Sequence, residues 1–257
     1  MSEIILDKTK LKNGVYFLSE PDNNFESIYI AVRENEKRVY PDEEVKLLPD
    51  AGGSNPHAEE WKLRKPPLHR FNNYIQRYND RINLLDIGCG NGWFPVNIAN
   101  RRSIDIYALD VNITELEQAA RVFNSKNIRF IYGNIFDNIF EKHSFDIITM
   151  NSSIQYFNDL EKLIKRLFYF LKDEGEIHIL DSPIYNQNEL VGAKERTARY
   201  YISKGFTEMV KHYHHHTFDK LKDFNYKILY NPKALQNNLK KIFGFKDSPF
   251  PWIRIIK

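Results

Sequence analysis

The sequence predicts an α/β domain, with a doubly wound, mostly parallel sheet covered by helices on both faces, joined to a small β-rich N-terminal extension. Three observations lead there. From Leu84 onward, short apolar runs alternate with stretches of helical period, the pattern of β-α-β units. A glycine-rich turn, GCGNG over 88–92, follows the first of these runs, where a parallel sheet opens toward ligands. The first forty-odd residues instead alternate as half-buried strands do, at 15–18 and 28–32, on either side of the turn-prone PDNN at 21–24.

Taken in order, the segment 49–56 is rich in Gly, Pro and Asn and reads as a linker, so residues 1–55 form the extension and 56–257 the main domain. A helix is expected near 58–61, resuming after Pro66 and Pro67 as far as Tyr78, because proline fits only a helix's first turn. Strands are expected at 84–88, 104–109, 128–132, 145–150 and 176–180. Asn112 with Glu115 three residues on resembles a capping box opening a helix that holds Leu116, Ala119, Ala120 and Phe123. Over 159–171, Leu160, Leu163, Ile164, Leu167, Phe168 and Leu171 recur on one helix face, and Gly175 is placed to help end it. Beyond lie a helix at 189–202, a strand at 226–230, a helix at 232–243 and a last strand at 252–256.

The 257 residues are enough for one large domain with a small appendage, and 42% apolar with 28% charged residues is ordinary for a globular chain. A formal charge of +3 neither requires nor excludes a nucleic-acid partner. No basic stripe with interleaved aromatics emerges, which points to a small-molecule substrate. The single cysteine, Cys89, excludes an internal disulfide and a multi-thiolate zinc site. With no apolar run of about 18 residues and no secretory order in MSEIILDKTK, the expectation is a cytosolic protein without a membrane partner.

Asp86 ends the first buried strand, and Gly88, Gly90 and Gly92 follow it. Such a turn needs glycine because the backbone bends sharply and a ligand must approach it closely. A dinucleotide fingerprint would place a third glycine at position 93, where Trp93 stands, so a nicotinamide oxidoreductase is disfavoured. Asp110, about 20 residues past the glycines, is where a carboxylate accepts from the ribose hydroxyls of a nucleoside.

D-x-G-x-G-x-G in the first turn, Asp110 after the second strand and Gly133-Asn134 after the third together resemble the class I S-adenosylmethionine-dependent methyltransferases. FDIITMNSSIQYF at 145–157 is similar to that family's fourth strand and following loop, and FLKDEGEIHIL at 170–180 to its approach to the fifth, with Glu174 in place of a glycine. The resemblance implies a Rossmann-like seven-stranded sheet and S-adenosylmethionine as cofactor. It implies contact through Asp86, Gly88, Cys89, Gly90, Asp110, Val111, Asn134, Ile135 and Asn151. Asn134 stands where the family has Asp, and its carbonyl can still accept from the adenine amine. EKRVYPDEEVKLLPD at 36–50 resembles the tail of a cysteine-bearing module that precedes some such enzymes, but it contains no cysteine, which rules out zinc there.

On the acceptor side the loop after the fourth strand offers Asn151, Ser152, Gln155 and Tyr156, expected to face the cofactor's methyl end; Asn151 is assigned to the methionine part, and Tyr156 either borders the substrate or packs under the next helix. The run His212, Tyr213, His214, His215, His216 is the second conspicuous feature. In an extended segment His214 and His216 share a face. They are candidates for substrate contact or a general base, with a polar lid as the alternative, and no third ligand is apparent for a metal. The region 186–218 is expected to form a lid. Trp61, Lys62 and Arg64 lie on a solvated face or, for Arg64, against the cofactor carboxylate. Lys194, Arg196 and Arg199 lie on a solvated face or serve an acidic substrate. The competing function is a nucleoside-binding partner or sensor module without catalysis.

Overall fold

The fold was analysed in a computed structural model that describes residues 4–99, 104–237 and 244–257. The chain begins with strands β1 (Leu11–Lys12) and β2 (Val15–Phe17), then helices α1 (Asn23–Asn35), α2 (Asp42–Val45) and α3 (Ala58–Ile75). The alternating core follows as β3 (Ile82–Ile87), α4 (Trp93–Ala99), β4 (Ile104–Asp110), α5 (Ile113–Val122), β5 (Ile128–Tyr132), β6 (Phe145–Asn151), α6 (Leu160–Phe170) and β7 (Leu171–Leu180). It closes with β8 (Ile184–Tyr185), α7 (Leu190–Ser203), β9 (His216–Thr217), β10 (Asn225–Tyr230) and β11 (Trp252–Ile256).

The main sheet runs β1-β2-β5-β4-β3-β6-β7-β11-β10. From β2 to β7 every pairing is parallel, while β11, β10 and β1 run antiparallel to their neighbours. The seven strands from β5 to β10 are the expected set. The N-terminal hairpin, turned over the positive-φ pair Asn13 and Gly14, adds β2 alongside β5 with Val15 opposite Phe130. The extension thus continues the sheet. Strand residues alternate between the faces, as a pleat of period two requires. Leu84, Ile106 and Ala108 join one core with Phe71 and Phe94, while Leu85, Tyr107 and Leu109 join the other with Leu163, Leu167 and Phe170.

Several expectations are corrected. The strand at 28–32 is part of α1, because Phe25, Ile28, Tyr29 and Val32 have helical spacing and the Asp22 side chain accepts from Asn24 N at 3.1 Å to cap the start. Its run IYIAV satisfies both periods, and the cap decides. Helix α3 runs through Pro66 and Pro67 without a break. Each proline costs about 3 kcal/mol in a helix interior, and burial of Trp61, Pro67, Leu68, Phe71 and Ile75 along one face offsets that cost. Gly175 lies inside β7, where an added Cβ would stand 3.0 Å from the Asp146 carbonyl oxygen, and α6 ends earlier, at Phe170. The second half of the helix expected at 232–243, residues 238–243, lies outside the described residues.

Helix α6 buries Leu160, Leu163, Ile164, Leu167 and Phe170 and caps its start with Asp159 accepting from Lys162 N. Leu167→Ala is expected to cost about 2–5 kcal/mol in urea unfolding, and the exposed Lys165→Ala less than about 0.5 kcal/mol. Equal losses at both positions would contradict the packing described.

Candidate functional site

The strand order reverses between β3 and β6: successive strands β4 and β5 lie on one side, β7 on the other. The loops at the carboxyl ends of strands part at such a point. A cavity of about 540 Å³ opens there, within the range of small-molecule sites. Its floor is the turn after β3. Gly88 has φ +73°, and a Cβ there would stand 2.4 Å from the Ser153 Cβ; Gly90 has φ +52°, and its Cβ would stand 3.2 Å from Glu115 Oε2. At Gly88 only glycine fits both the conformation and the space, and at Gly90 the left-handed φ favours glycine.

Asp110 ends β4 with its carboxylate held by three backbone donors. Gly90 N donates to Oδ2 at 2.7 Å, while Val111 N and Asn112 N donate to Oδ1 at 2.7 and 2.9 Å. Gly88 N and Cys89 N donate to the Leu109 carbonyl, fixing the two strand ends to each other. Burial pushes the Asp110 carboxyl above its usual range, and the three N–H donors oppose that rise. Asn112 caps α5 by accepting from Glu115 N at 3.0 Å, and its buried Nδ2 has no partner among the described residues. Glu115 does not close the anticipated capping box; its carboxyl lines the cavity instead, where burial pushes it up to about 7 against the pull of Arg33.

The roof comes from α1. Phe25, Tyr29 and Arg33 lie at intervals of four, on one face of that helix, and all three line the cavity. Glu26 docks the helix by accepting from Thr114 N and Thr114 Oγ1, each at 2.9 Å. The Tyr156 ring meets Phe25 at 5.7 Å and Tyr29 at 5.6 Å, and His212 meets Phe25 at 5.4 Å. At the far end Arg64 lies over Trp61, donates to Ser152 Oγ at 3.3 Å and pairs with Glu60 at 2.8 Å. It is half-buried rather than solvated, whereas Lys62 is exposed and paired with Glu59.

Of the residues singled out from sequence, Gly88, Cys89, Gly90, Asp110, Val111, Asn134, Ile135, Asn151, Tyr156 and His214 all line this cavity. Asp86 and His216 do not. Asp86 is 1% exposed and accepts from Thr149 Oγ1 at 2.6 Å behind the turn, and burial pushes its carboxyl up to about 7. The His216 ring nitrogen Nε2 meets the Ile154 carbonyl at 3.0 Å. Residue 216 belongs to β9, paired with Ile184. Asn134 Oδ1 accepts from Phe136 N at 3.0 Å, which leaves one lone pair toward the cavity. The sequence reading missed Phe25, Tyr29 and Arg33, whose i, i+4, i+8 spacing was the available signal, and took Glu115 only as a cap.

The profile of a family described as a methyltransferase domain matches residues 79–246. The chain belongs to the class I S-adenosylmethionine-dependent methyltransferases. Among its relatives, a malonyl-acyl-carrier-protein O-methyltransferase of Priestia megaterium is 28% identical over 130 residues, 48% of this chain and 47% of that protein. A demethylmenaquinone methyltransferase of Lactococcus lactis is 31% identical over 116 residues, covering 41% and 46%. The chain therefore spans about half the length of the curated relatives it matches. A Haemonchus contortus phosphoethanolamine N-methyltransferase 2, solved with phosphomonomethylethanolamine and S-adenosylhomocysteine, shares the fold. Its TM-score is 0.56 at 15% identity, covering 86% of this chain and 61% of that one.

The cavity suits the family's cofactor on the chain's own evidence. Asp110 and Asn112 offer an acceptor and an unpartnered buried donor to a nucleoside, and the glycine turn leaves room for its approach. Asp86 and Glu115 also set a pH dependence. Their carboxyls sit near 7, above the unfolded values of 3.8 and 4.5. Between those limits the folded state therefore keeps protons the unfolded chain has lost, and stability falls as pH rises. Asp86→Asn is expected to remove on the order of 1 kcal/mol of the loss between about pH 6 and 8. Parallel pH–stability curves for wild type and variant would refute that assignment.

Proposed function

We propose that this chain transfers the methyl group of S-adenosylmethionine to a small-molecule acceptor. The observation that carries this reading is the Asp110 carboxylate, pinned by three N–H donors yet lining the cavity at the mouth of the glycine turn. In this reading Asp110 accepts from the ribose hydroxyls, and the backbone of Gly88, Cys89 and Gly90 lies against the ligand. Val111, Asn134 and Ile135 border the base. Asn151 and Arg64 take the methionine end, where a guanidinium suits a carboxylate.

When bound, the cofactor supplies a methyl group on an electrophilic sulfonium, so the chain's contribution is orientation and exclusion of water. The rings of Phe25, Tyr29 and Tyr156 close the roof and keep the methyl end dry. Burial lowers the His214 imidazole below its usual value, which leaves it neutral near pH 7 and able to take a proton from an acceptor that must lose one. His216 is a positioning residue in this scheme, holding the Ile154 carbonyl at the base of the Tyr156 loop. The names of the relatives cover a carrier-bound acid, a quinone and a phosphorylated amine. That breadth supports a small acceptor moiety without choosing among them. The N-terminal 55 residues belong to the working unit, since α1 roofs the cavity. No described helix is long and apolar enough to cross a membrane, and a cytosolic setting is part of the proposal.

Isothermal calorimetry with S-adenosylhomocysteine tests this reading. Wild type is expected to bind saturably, and Asp110→Asn about 10–100-fold more weakly, the worth of one or two hydrogen bonds to a charged group. Labelled cofactor is expected to pass its methyl to a low-molecular-mass pool. Absence of heat from folded protein at millimolar ligand would remove the proposal.

A further inference from the structure

Beside the cofactor cavity lies a second chamber of about 470 Å³. The two share Arg33, Arg38, Arg64, Ser152 and Tyr156 as a common wall. The side chamber therefore meets the main cavity beside Ser152 and Tyr156, in the loop after β6. Its charge is uneven: four arginines, Arg33, Arg38, Arg64 and Arg196, face two glutamates, Glu36 and Glu60.

The pairing among these groups leaves a surplus. Glu60 is shared by Arg38 and Arg64, both through close contacts. Glu36 accepts from the Tyr200 hydroxyl at 2.5 Å and lies 3.2 Å from Arg38 Nε, but 3.7 Å from Arg33 Nη1. Arg33 is left with a loose ion pair and a hydrogen bond from Nε to the Tyr29 hydroxyl at 3.0 Å. Arg196, on α7, has no carboxylate partner among the described residues. Four arginines against two glutamates thus leave an excess of positive charge along the chamber wall; Arg33 is half-buried and attracted by both Glu36 and Glu115, while Arg196 is exposed at the chamber's edge. An independent observation also points to a ligand. The Oε1 of Gln155 is buried in the wall of this chamber with no hydrogen-bond partner, although Nε2 donates to the Ser152 carbonyl at 2.6 Å. A buried acceptor without a donor carries a desolvation cost that a bound N–H or O–H would remove.

Resting on the methyltransferase reading above, we infer that the side chamber binds the methyl acceptor by an oxyanion group. The acceptor is a small molecule whose carboxylate or phosphate sits between Arg33 and Arg196 and whose hydroxyl or amine donates to Gln155 Oε1. Arg64 serves the cofactor end, and Arg196, which lines only the side chamber, is the residue specific to the acceptor. The guanidinium fork suits either oxyanion, because both present two coplanar oxygens to it.

Protein saturated with S-adenosylhomocysteine is titrated with inorganic phosphate and with succinate, against chloride at equal ionic strength. One of the two oxyanions is expected to bind saturably, and which one does assigns phosphate or carboxylate. Arg196→Ala is expected to weaken that binding about tenfold, the worth of a charge-assisted contact. Arg196→Lys should recover part of the loss, and S-adenosylhomocysteine affinity should change less than about twofold in both variants. In a second arm, labelled cofactor is incubated with a small-molecule extract resolved by anion exchange, and the label is expected in the retained fraction. If S-adenosylhomocysteine binds while neither oxyanion does, or oxyanion binding is the same in Arg196→Ala, the inference fails and the methyltransferase reading stands. Label appearing only in neutral, cationic or protein fractions overturns it likewise. Failure of S-adenosylhomocysteine to bind folded protein overturns both.

Discussion

The Asp110 carboxylate receives three backbone N–H groups, one from the glycine turn and two from the residues that follow β4. That one group joins the carboxyl ends of two neighbouring strands and fixes the width of the opening between them. Without it the turn would have one N–H donor, and the residues after β4 two, to satisfy elsewhere. The arrangement raises the energy of the charged carboxyl, because burial acts against ionisation while the N–H donors act for it. In the proposed scheme the acceptor for the ribose hydroxyls is thus already desolvated and positioned when the ligand arrives.

The same economy of position shows in the N-terminal segment. Its hairpin extends the sheet beside β5, and its helix α1 then crosses to the cavity, where Glu26 ties it to the start of α5. One short stretch thus adds a strand at the edge and a roof at the centre. The roof carries aromatic rings toward the cofactor cavity and a guanidinium, Arg33, to the wall shared with the side chamber. The resulting field is divided, with Asp86, Asp110 and Glu115 at or behind the floor and an excess of arginine at the side.

Much of this was legible in the residues. The strand at 128–132 and the last strand at 252–256 were placed at their observed limits, since apolar runs bounded by turns admit few alternatives. The glycine turn, Asp110 and the loop after β6 were found because spacing along the chain places them at one sheet edge. Asp86 shows the limit of that reasoning. A strand-end residue faces either the ligand or the core according to register and packing, and here Thr149 on the neighbouring strand holds it inward. His216 lies outside the cavity lining, in a short strand whose pairing with β8 has no local signature.

Sequence alone therefore determined the class of fold, the order of its elements and the glycine-turn end of the cavity, because those follow from local periodicity and from a turn that favours glycine. Tertiary structure decided the rest. It turned the ambiguous run at 28–32 into a helix, carried α3 through two prolines and brought Arg33 and Arg196 to one chamber with the Gln155 loop from three distant parts of the chain. The physical reason is that a helix cap, a buried face and a shared wall are stabilised by contacts remote in sequence, and no local pattern of residues encodes what will be packed against it.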